Sequence, residues 1–174
     1  MQKETVMIDS KEYTVEADGS LWHTMDIPWQ RGSQYQDYKV IVGDEVYTVC
    51  TKVEGDTKWY QDGKLHRIGG PAIEGPNGYE EWLVKGKLHR LDGPAITYAC
   101  GSTRWYKRGC LHRLNNLPAA VDASGYTEYR KDGYLHRLDG PAMIWANGDK
   151  EWYIHGDRFT EEEFLEHIEN MKVK

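Results

Sequence analysis

The stretch that decides the fold spans residues 78–98 and reads GYEEWLVKGKLHRLDGPAITY. Short runs of strand-forming residues lie on either side of Lys85-Gly86, and the turn signal Asp92-Gly93-Pro94 follows them. Glycine-containing pairs between strand-like runs are typical of β-hairpins, because a tight hairpin turn requires positive φ angles. Proline has no N–H group and therefore fits the first residue or the edge of a strand. The stretch predicts two or three short antiparallel strands. Its Gly-Pro pair is expected to serve the backbone conformation of the turn.

Variants of this stretch recur along the chain at a nearly constant interval. A glycine is followed four residues later by a large aromatic five times, at Gly55/Trp59, Gly78/Trp82, Gly101/Trp105, Gly125/Tyr129 and Gly148/Trp152. The steps are 23, 23, 24 and 23 residues, a period that is typical of repeat architectures. The first four copies also carry forms of Leu-His-Arg followed by Pro-Ala. The fold class predicted is mainly β, an antiparallel β-hairpin repeat array of about five units of 23 residues with a short C-terminal capping α-helix.

Turn signals within the repeats predict which residues lie opposite each other. Type I′ turns fit Asp62-Gly63, Asn77-Gly78, Asp132-Gly133 and Asn147-Gly148. Counting outward from such turns predicts a ladder of aromatic–histidine pairs, with the next residue pair on the other face. The pairs are Trp59/His66, Trp82/His89, Trp105/His112 and Tyr129/His136, with Trp152/Phe159 in the fifth copy.

The histidines of this ladder could pack, could contact a ligand, or could bind a metal ion or act in acid–base catalysis. A metal site needs three or four converging donors, whereas copies of one residue along a repeat array lie at successive positions. In the fifth copy Phe159 takes the place of the histidine. Phenylalanine supplies an aromatic ring for packing but no nitrogen atom for a metal ion. We therefore expect aromatic packing, with no metal and no cofactor.

The two ends of the chain differ from the repeats. Thr160 and the three glutamates after it form a capping box, and Phe164, Ile168 and Met171 follow at helical spacing. We expect a capping helix within residues 161–174, repeats over 55–160, and N-terminal β-hairpins or a β cap over 1–54, all in one structural unit. Residues 1–54 contain a turn signal at Asp18-Gly19, a loop candidate at 30–36 and a hairpin candidate around Gly43-Asp44-Glu45. Whether they are degenerate repeats or a separate cap is left open.

Charge and composition limit the classes of partner. The net charge is −6, yet residues 58–160 hold 15 Lys/Arg against 12 Asp/Glu, while the flanks hold 7 against 16. A surplus of three positive charges over a hundred residues is a weak footprint for duplex nucleic acid, which is not favoured. No apolar run suits a membrane span, the N-terminus lacks an export signal, and three separated cysteines fit reduced thiols. These features predict a cytoplasmic protein with no membrane partner.

Arginines and tyrosines are the candidate binding residues. The arginines after each histidine are expected to point to the face opposite the ladder. They are either held by Asp92, Asp139 or nearby carbonyls, or they form a row of cations for phosphate or carboxylate groups. Tyrosines outside the ladder either fill the core or stack on a ligand. The candidates are Arg67, Arg90, Arg113, Arg137, Tyr79, Tyr98, Tyr126 and Tyr134.

Catalytic motifs are missing from the sequence. It has no Gly-x-Ser-x-Gly, His-Glu-x-x-His, Walker or dinucleotide-binding pattern. We predict a protein that is not an enzyme and has no catalytic residues.

The repeat string resembles a known repeat class. The pattern Trp-Tyr-x-x-Gly-x-Leu-His-Arg-x-x-Gly-Pro-Ala, clearest at 59–72 and 82–95, is similar to the His-Arg-x-Asp-Gly-Pro-Ala repeats of tailed phages and giant viruses, which are distantly similar to MORN-type β-hairpin repeats. If the chain is viral, the resemblance implies an accessory factor in the host cytoplasm that binds or inhibits a host component.

Three functions remain open on the sequence alone. The first is a non-enzymatic interaction protein that docks a protein partner, possibly from the host. The second is a sequestering protein for a small anionic nucleotide, in viral counter-defence against a host signal. The third is a virion or scaffold component, and a homo-oligomer is compatible with all three.

Overall fold

The computed structural model describes residues 5–8, 11–15, 21–24, 35–42, 44–52 and 55–172. The predicted turn at Asp18-Gly19 and positions 30–34 of the predicted loop lie outside the described residues. The chain divides into two compact units, Met1–Gly86 and Lys87–Lys174. Each unit is an antiparallel β structure, and the second also contains the one helix of the described chain, so the predicted fold class is confirmed.

The first unit is an antiparallel sheet in which strand order follows chain order up to β6. The order is β1-β2-β3-β4-β5-β6-β8-β9, with β7 paired to β6, and a short 3-10 turn covers Pro76–Gly78. The predicted hairpin around Gly43-Asp44 is confirmed, since Val42 pairs with Glu45. The strands are β1 Thr5–Ile8, β2 Lys11–Val15, β3 Leu21–Thr24, β4 Tyr35–Val42, β5 Glu45–Lys52, β6 Thr57–Gln61, β7 Lys64–Leu65, β8 Ile73–Glu74, β9 Glu80–Glu81 and β10 Leu83–Val84.

Aromatic packing forms the core of the first unit. Val40, Tyr47, Val49 and Trp59 are buried together. The Tyr47 and Trp59 rings meet edge to face at 5.7 Å, and the His66 ring stacks on Tyr47 at 6.2 Å. The repeat aromatic and the repeat histidine thus pack around the same tyrosine, as the packing interpretation of the ladder predicts.

The second unit consists of short strands because each repeat divides its pairing between two sheets. Strands before the repeat aromatic pair in the order β12-β13-β16-β17-β20-β21-β22, whereas strands after Trp105 and Tyr129 form the separate hairpins β14-β15 and β18-β19. The elements are β11 Lys87–Leu88, β12 Ile96–Thr97, β13 Thr103–Arg104, β14 Tyr106–Lys107, β15 Cys110–Leu111, β16 Ala120–Val121, β17 Thr127–Glu128, β18 Arg130–Lys131, β19 Tyr134–Leu135, β20 Met143–Ile144, β21 Lys150–Ile154, β22 Asp157–Phe159 and α1 Glu161–Lys172.

Backbone hydrogen bonds confirm the aromatic–histidine register. The N–H of His66, His112 and His136 donates to the carbonyl of Trp59, Trp105 and Tyr129 at 2.9, 2.9 and 3.0 Å. In the fifth copy Trp152 pairs with Phe159, as expected.

The helix begins as predicted. The N–H of Thr160 donates to the Glu163 carboxylate at 2.8 Å, and the N–H of Glu163 donates back to the Thr160 hydroxyl at 3.3 Å. These two bonds form the capping box. The Glu163 carboxylate accepts bonds from the Thr160 N–H and, at 3.0 Å, from the Thr160 hydroxyl, and these two bonds hold the pKa of Glu163 below its usual value. Phe164 of this helix is buried. In the part of the chain described above, no helix has the length and apolar character that a bilayer crossing needs.

Five hairpin turns have left-handed residues at both central positions. The first position has φ between 50° and 53° and is followed by a glycine with φ between 71° and 93°, as a type I′ turn requires. The turns are Asp62-Gly63, Lys85-Gly86, Arg108-Gly109, Asp132-Gly133 and His155-Gly156. The type I′ predictions for Asp62-Gly63 and Asp132-Gly133 are therefore confirmed. The prediction for Asn77-Gly78 is also confirmed, because these residues have φ 58° and 78° and the Tyr79 N–H donates to the Pro76 carbonyl across them.

The type I′ prediction for Asn147-Gly148 is wrong. Gly148 has φ 91°, but Asn147 is outside the left-handed region. The N–H of Gly148 donates to the Trp145 carbonyl and the N–H of Trp145 donates to the Asp149 carbonyl, both at 2.9 Å. This pattern is a three-residue loop with a G1 bulge, in which glycine alone takes the left-handed conformation.

The left-handed conformation predicts a stabilising substitution at Arg108. Arginine tolerates φ 52° poorly, whereas asparagine adopts this region readily. We expect Arg108→Asn to raise the free energy of unfolding by about 0.5–1 kcal/mol, measured by urea denaturation. Arg108→Gln, which also removes the charge, should give no such gain. Equal effects of the two substitutions would contradict this explanation.

Candidate functional site

Each repeat histidine accepts a hydrogen bond from the hairpin turn of the following repeat. The donor is the backbone N–H of the first left-handed turn residue, and the acceptor is the ring Nδ1. The bonds are Lys85 to His66 at 2.9 Å, Arg108 to His89 at 3.1 Å, Asp132 to His112 at 3.0 Å and His155 to His136 at 3.1 Å. An Nδ1 that accepts an N–H carries no proton, so the bond requires the neutral ring with its proton on Nε2.

Two backbone bonds accompany each histidine bond. The N–H of the turn glycine donates to the carbonyl before the histidine, as from Gly86 to Leu65 at 2.8 Å. The N–H of the arginine after the histidine donates to the next hairpin, as from Arg67 to Leu83 at 3.2 Å. The same pair of bonds recurs at the three later junctions. The Leu-His-Arg string therefore joins one repeat to the hairpin of the next.

The local surroundings of the histidines differ from one repeat to another. His66 and His112 are buried, and the Asp132 carboxylate lies 3.1 Å from Nδ1 of His112. Nε2 of His112 is buried and has no hydrogen-bond partner among the described residues. The His136 ring lies 4.3 Å from the His155 ring. Burial, and then the neighbouring His155 and Lys131, lower the pKa of His136 below 6.5.

His136 should make stability depend on pH. Because its pKa is lower in the folded chain than in the unfolded chain, the unfolded chain binds more protons in acid. Its stabilising contribution is complete above pH 6.5 and is lost as the pH falls below that value. We expect His136→Gln, which keeps an acceptor but cannot be protonated, to reduce the loss of stability between about pH 7 and pH 5, as measured by urea denaturation. The exposed His167→Gln is the control, and equal pH profiles for both variants would refute this role.

Three of the four repeat arginines lie on the aromatic residues of the ladder, so the prediction that they point to the opposite face is wrong for these three. The guanidinium carbons of Arg67, Arg113 and Arg137 lie 3.6, 3.7 and 3.9 Å from the ring centres of Trp59, Trp105 and Tyr129. Strand alternation fails here because the backbone bonds to the aromatic strand end at the histidine. The N–H of the arginine donates to the next hairpin instead.

Carbonyl and carboxylate groups nearby hold these guanidinium groups. In all four repeats Nη1 donates to the proline carbonyl of the same loop, namely Pro71 at 3.4 Å, Pro94 at 3.4 Å, Pro118 at 3.1 Å and Pro141 at 3.3 Å. Nε of Arg90 and Arg137 also donates to Asp92 at 3.0 Å and Asp139 at 2.6 Å. Arg90 thereby lowers the pKa of Asp92. The anchoring interpretation is confirmed at these residues, and an external anion at the arginines stays a prediction.

In three repeats a glycine precedes the loop proline because the arginine side chain of the same loop lies directly over that glycine. A Cβ atom on Gly70, Gly93 or Gly140 would lie 2.8, 2.5 or 3.3 Å from the guanidinium carbon of its arginine. None of these glycines has a left-handed φ, so clearance and not conformation explains them. The third repeat lacks this glycine, and its additional residue is accommodated by left-handed Asn115 and Asn116.

A double-mutant cycle can measure this clearance. We expect Gly93→Ala to lower the free energy of unfolding by about 1–3 kcal/mol, because the new methyl group would displace the Arg90 side chain. In an Arg90→Ala background the same substitution should have less than half that effect. Urea denaturation of the four proteins gives the coupling. An unchanged effect of Gly93→Ala would show that the arginine is not the reason for the glycine.

The candidate tyrosines lie in different environments. The hydroxyl groups of Tyr79 and Tyr126 donate to Glu81 and Glu128. Burial, followed by the bond to Glu128, raises the pKa of Tyr126. Arg104 lies 5.7 Å from the Tyr98 ring, and Trp145 lies 4.9 Å from the Tyr126 ring. Tyr134 is 62% exposed. The ligand role of these four tyrosines stays a prediction.

Apolar residues that the sequence analysis did not single out surround a cleft in the second unit. This leucine cleft has a volume of about 280 Å³ and is bordered by Leu91, Leu114 and Leu117, which are 72%, 61% and 45% exposed. Its lining also contains Arg90, Lys107 and Arg113 against the single carboxylate of Asp92, together with Trp105 and His112. The available sequence signal is the apolar residue after every repeat arginine, at Ile68, Leu91, Leu114 and Leu138.

Metal binding and sequence comparison add no further constraint. Within the described ranges, no three His, Cys, Asp or Glu side chains are grouped so that they could hold a metal ion. No family model matches the chain, and no curated protein matches it. The similarity to viral repeats therefore rests on the repeat string alone.

Proposed function

We propose that this chain is a non-enzymatic protein-interaction module and that the leucine cleft is its docking surface. The observation that carries the proposal is the exposure of Leu91, Leu114 and Leu117 around one cleft. Clustered apolar side chains in solvent are typical of binding surfaces, and the strongest interface contacts form where an apolar group enters a pocket.

The polar residues of the repeats support an interaction function over catalysis. The histidines, which would be the first candidates for general bases, accept backbone N–H groups at Nδ1. The arginines beside the cleft donate to proline carbonyls, and Arg90 also donates to Asp92. Both residue types are therefore engaged in holding the repeats, and apolar contact is the property that the cleft offers a partner.

Sequestration of an anionic nucleotide is the second candidate function. It is favoured by one observation, the three cations against one carboxylate around a cleft that also reaches Trp105. It is the weaker of the two because a phosphate would compete with the existing bonds of Arg90 and Arg113. If the chain is viral, as the repeat string implies, the protein partner would be a host component in the cytoplasm or a second virion protein.

Comparative capture from a cell lysate tests the docking function. The wild-type chain, the double variant Leu91→Asp/Leu114→Asp and the control Val46→Asp are immobilised, and bound proteins are quantified by mass spectrometry. Val46 is 50% exposed and lies in the first unit. We expect a protein retained in near-stoichiometric amounts by wild type and control, and reduced about tenfold or more on the double variant, since hot-spot losses commonly exceed 1.4 kcal/mol.

Two results would overturn the proposal. One is the absence of any partner retained in stoichiometric amounts, whether a lysate protein or added free copies of this chain, and the other is a partner that the double variant retains fully. Thermal unfolding with a panel of nucleotides examines the second candidate, since a tight ligand raises the melting temperature of the wild-type chain.

A further inference from the structure

The leucine cleft has an apolar centre and a basic border. Arg90, Lys107 and Arg113 contribute three positive charges and Asp92 one negative charge, which leaves the lining at +2. The partner that fits such a surface presents an apolar side chain between carboxylates, because complementary charge favours encounter and fixes orientation.

The outward face of α1 has this chemistry. Leu165 is 58% exposed, whereas its neighbour Phe164 is buried. The helix packs against β21 and β22. Residues three and four positions apart are neighbours on a helix surface, so Glu162 and Glu169 flank Leu165. The helix as a whole has five glutamates and one lysine, a charge of −4 with His167 neutral. Leu165 is therefore an exposed apolar side chain on an acidic helix.

We propose that the leucine cleft of one copy binds the outward face of α1 of a second copy, so that the chain self-associates. This inference rests on the proposed function and names the partner of the same surface. Leu165 enters among Leu91, Leu114 and Leu117, and Glu162 and Glu169 lie against the basic border. Both surfaces belong to one chain, so two copies related by a twofold axis can form the contact twice, as isologous dimers do.

Sedimentation velocity over a concentration series tests this contact. We expect the mass to rise from 20.2 kDa for one copy towards twice that value, with weaker association at high salt because exposed charges are screened. Leu114→Asp and Leu165→Asp should each keep the chain monomeric. The matched control is Ile68→Asp, which changes the corresponding exposed residue of the first repeat and should associate like the wild type.

Charge reversal tests the pairing directly. Lys107→Glu lowers the charge of the lining from +2 to 0, and the double variant Glu162→Lys/Glu169→Lys sets two lysines against the basic border. Each should associate at least about tenfold more weakly than the wild type, because the charge complementarity is lost. In a heterodimer from an equimolar mixture, the cleft that carries Lys107→Glu would meet the lysine-bearing helix and the native cleft would meet the native helix. We therefore expect the mixture to recover dimers. A mixture that stays monomeric would overturn the proposal.

Failure of this inference is separable from failure of the docking function. A wild-type chain that stays monomeric at every concentration, or association that survives both Leu114→Asp and Leu165→Asp, overturns self-docking. The capture experiment then decides the docking function independently, because it follows a foreign protein. All substituted residues except Lys107 are exposed, and unchanged melting temperatures show that the variants remain folded.

Discussion

A hydrogen bond from a left-handed turn amide to a histidine ring is the interaction on which the repeats depend. The turn residue must hold φ near 50° to present its N–H, the following glycine must also be left-handed, and the ring must be neutral to accept. Each condition constrains a different part of the sequence. Together they explain why Leu-His-Arg and the glycine of the hairpin turn recur in step, although they belong to different parts of each unit.

The arginine next to the histidine adds a second constraint. Its guanidinium group covers the repeat aromatic and donates to the proline carbonyl, so one side chain joins the start and the end of a repeat. The flat group needs space, which the glycine before proline provides. A cationic side chain is used here as a packing element with directed hydrogen bonds. That use explains why a row of arginines gives the surface less free positive charge than the sequence implies.

Much of the fold could be predicted from the sequence, because period, turn chemistry and capping are local properties. The pairing of Trp152 with Phe159 and the bonds between Thr160 and Glu163 follow from counting and from helix-cap rules. The orientation of Arg67 could not be predicted, since face alternation holds only while a strand keeps its partner, and the N–H of Arg67 donates to Leu83 of the next hairpin. The turn at Asn147 was also beyond local rules, because Asn-Gly suits both a two-residue loop and the end of a three-residue loop. The leucine cleft depends on which apolar residues find no partner, which only the packing reveals.

The third repeat shows where the chain tolerates a change in length. One additional residue between Arg113 and Pro118 is taken up by two left-handed asparagines, and Arg113 still reaches the proline carbonyl at 3.1 Å. The spacing of the flanking strands is therefore insulated from the loop between them. This loop borders the exposed leucines, so grafting short peptides at Asn115-Asn116 offers a way to diversify recognition while the framework keeps its geometry.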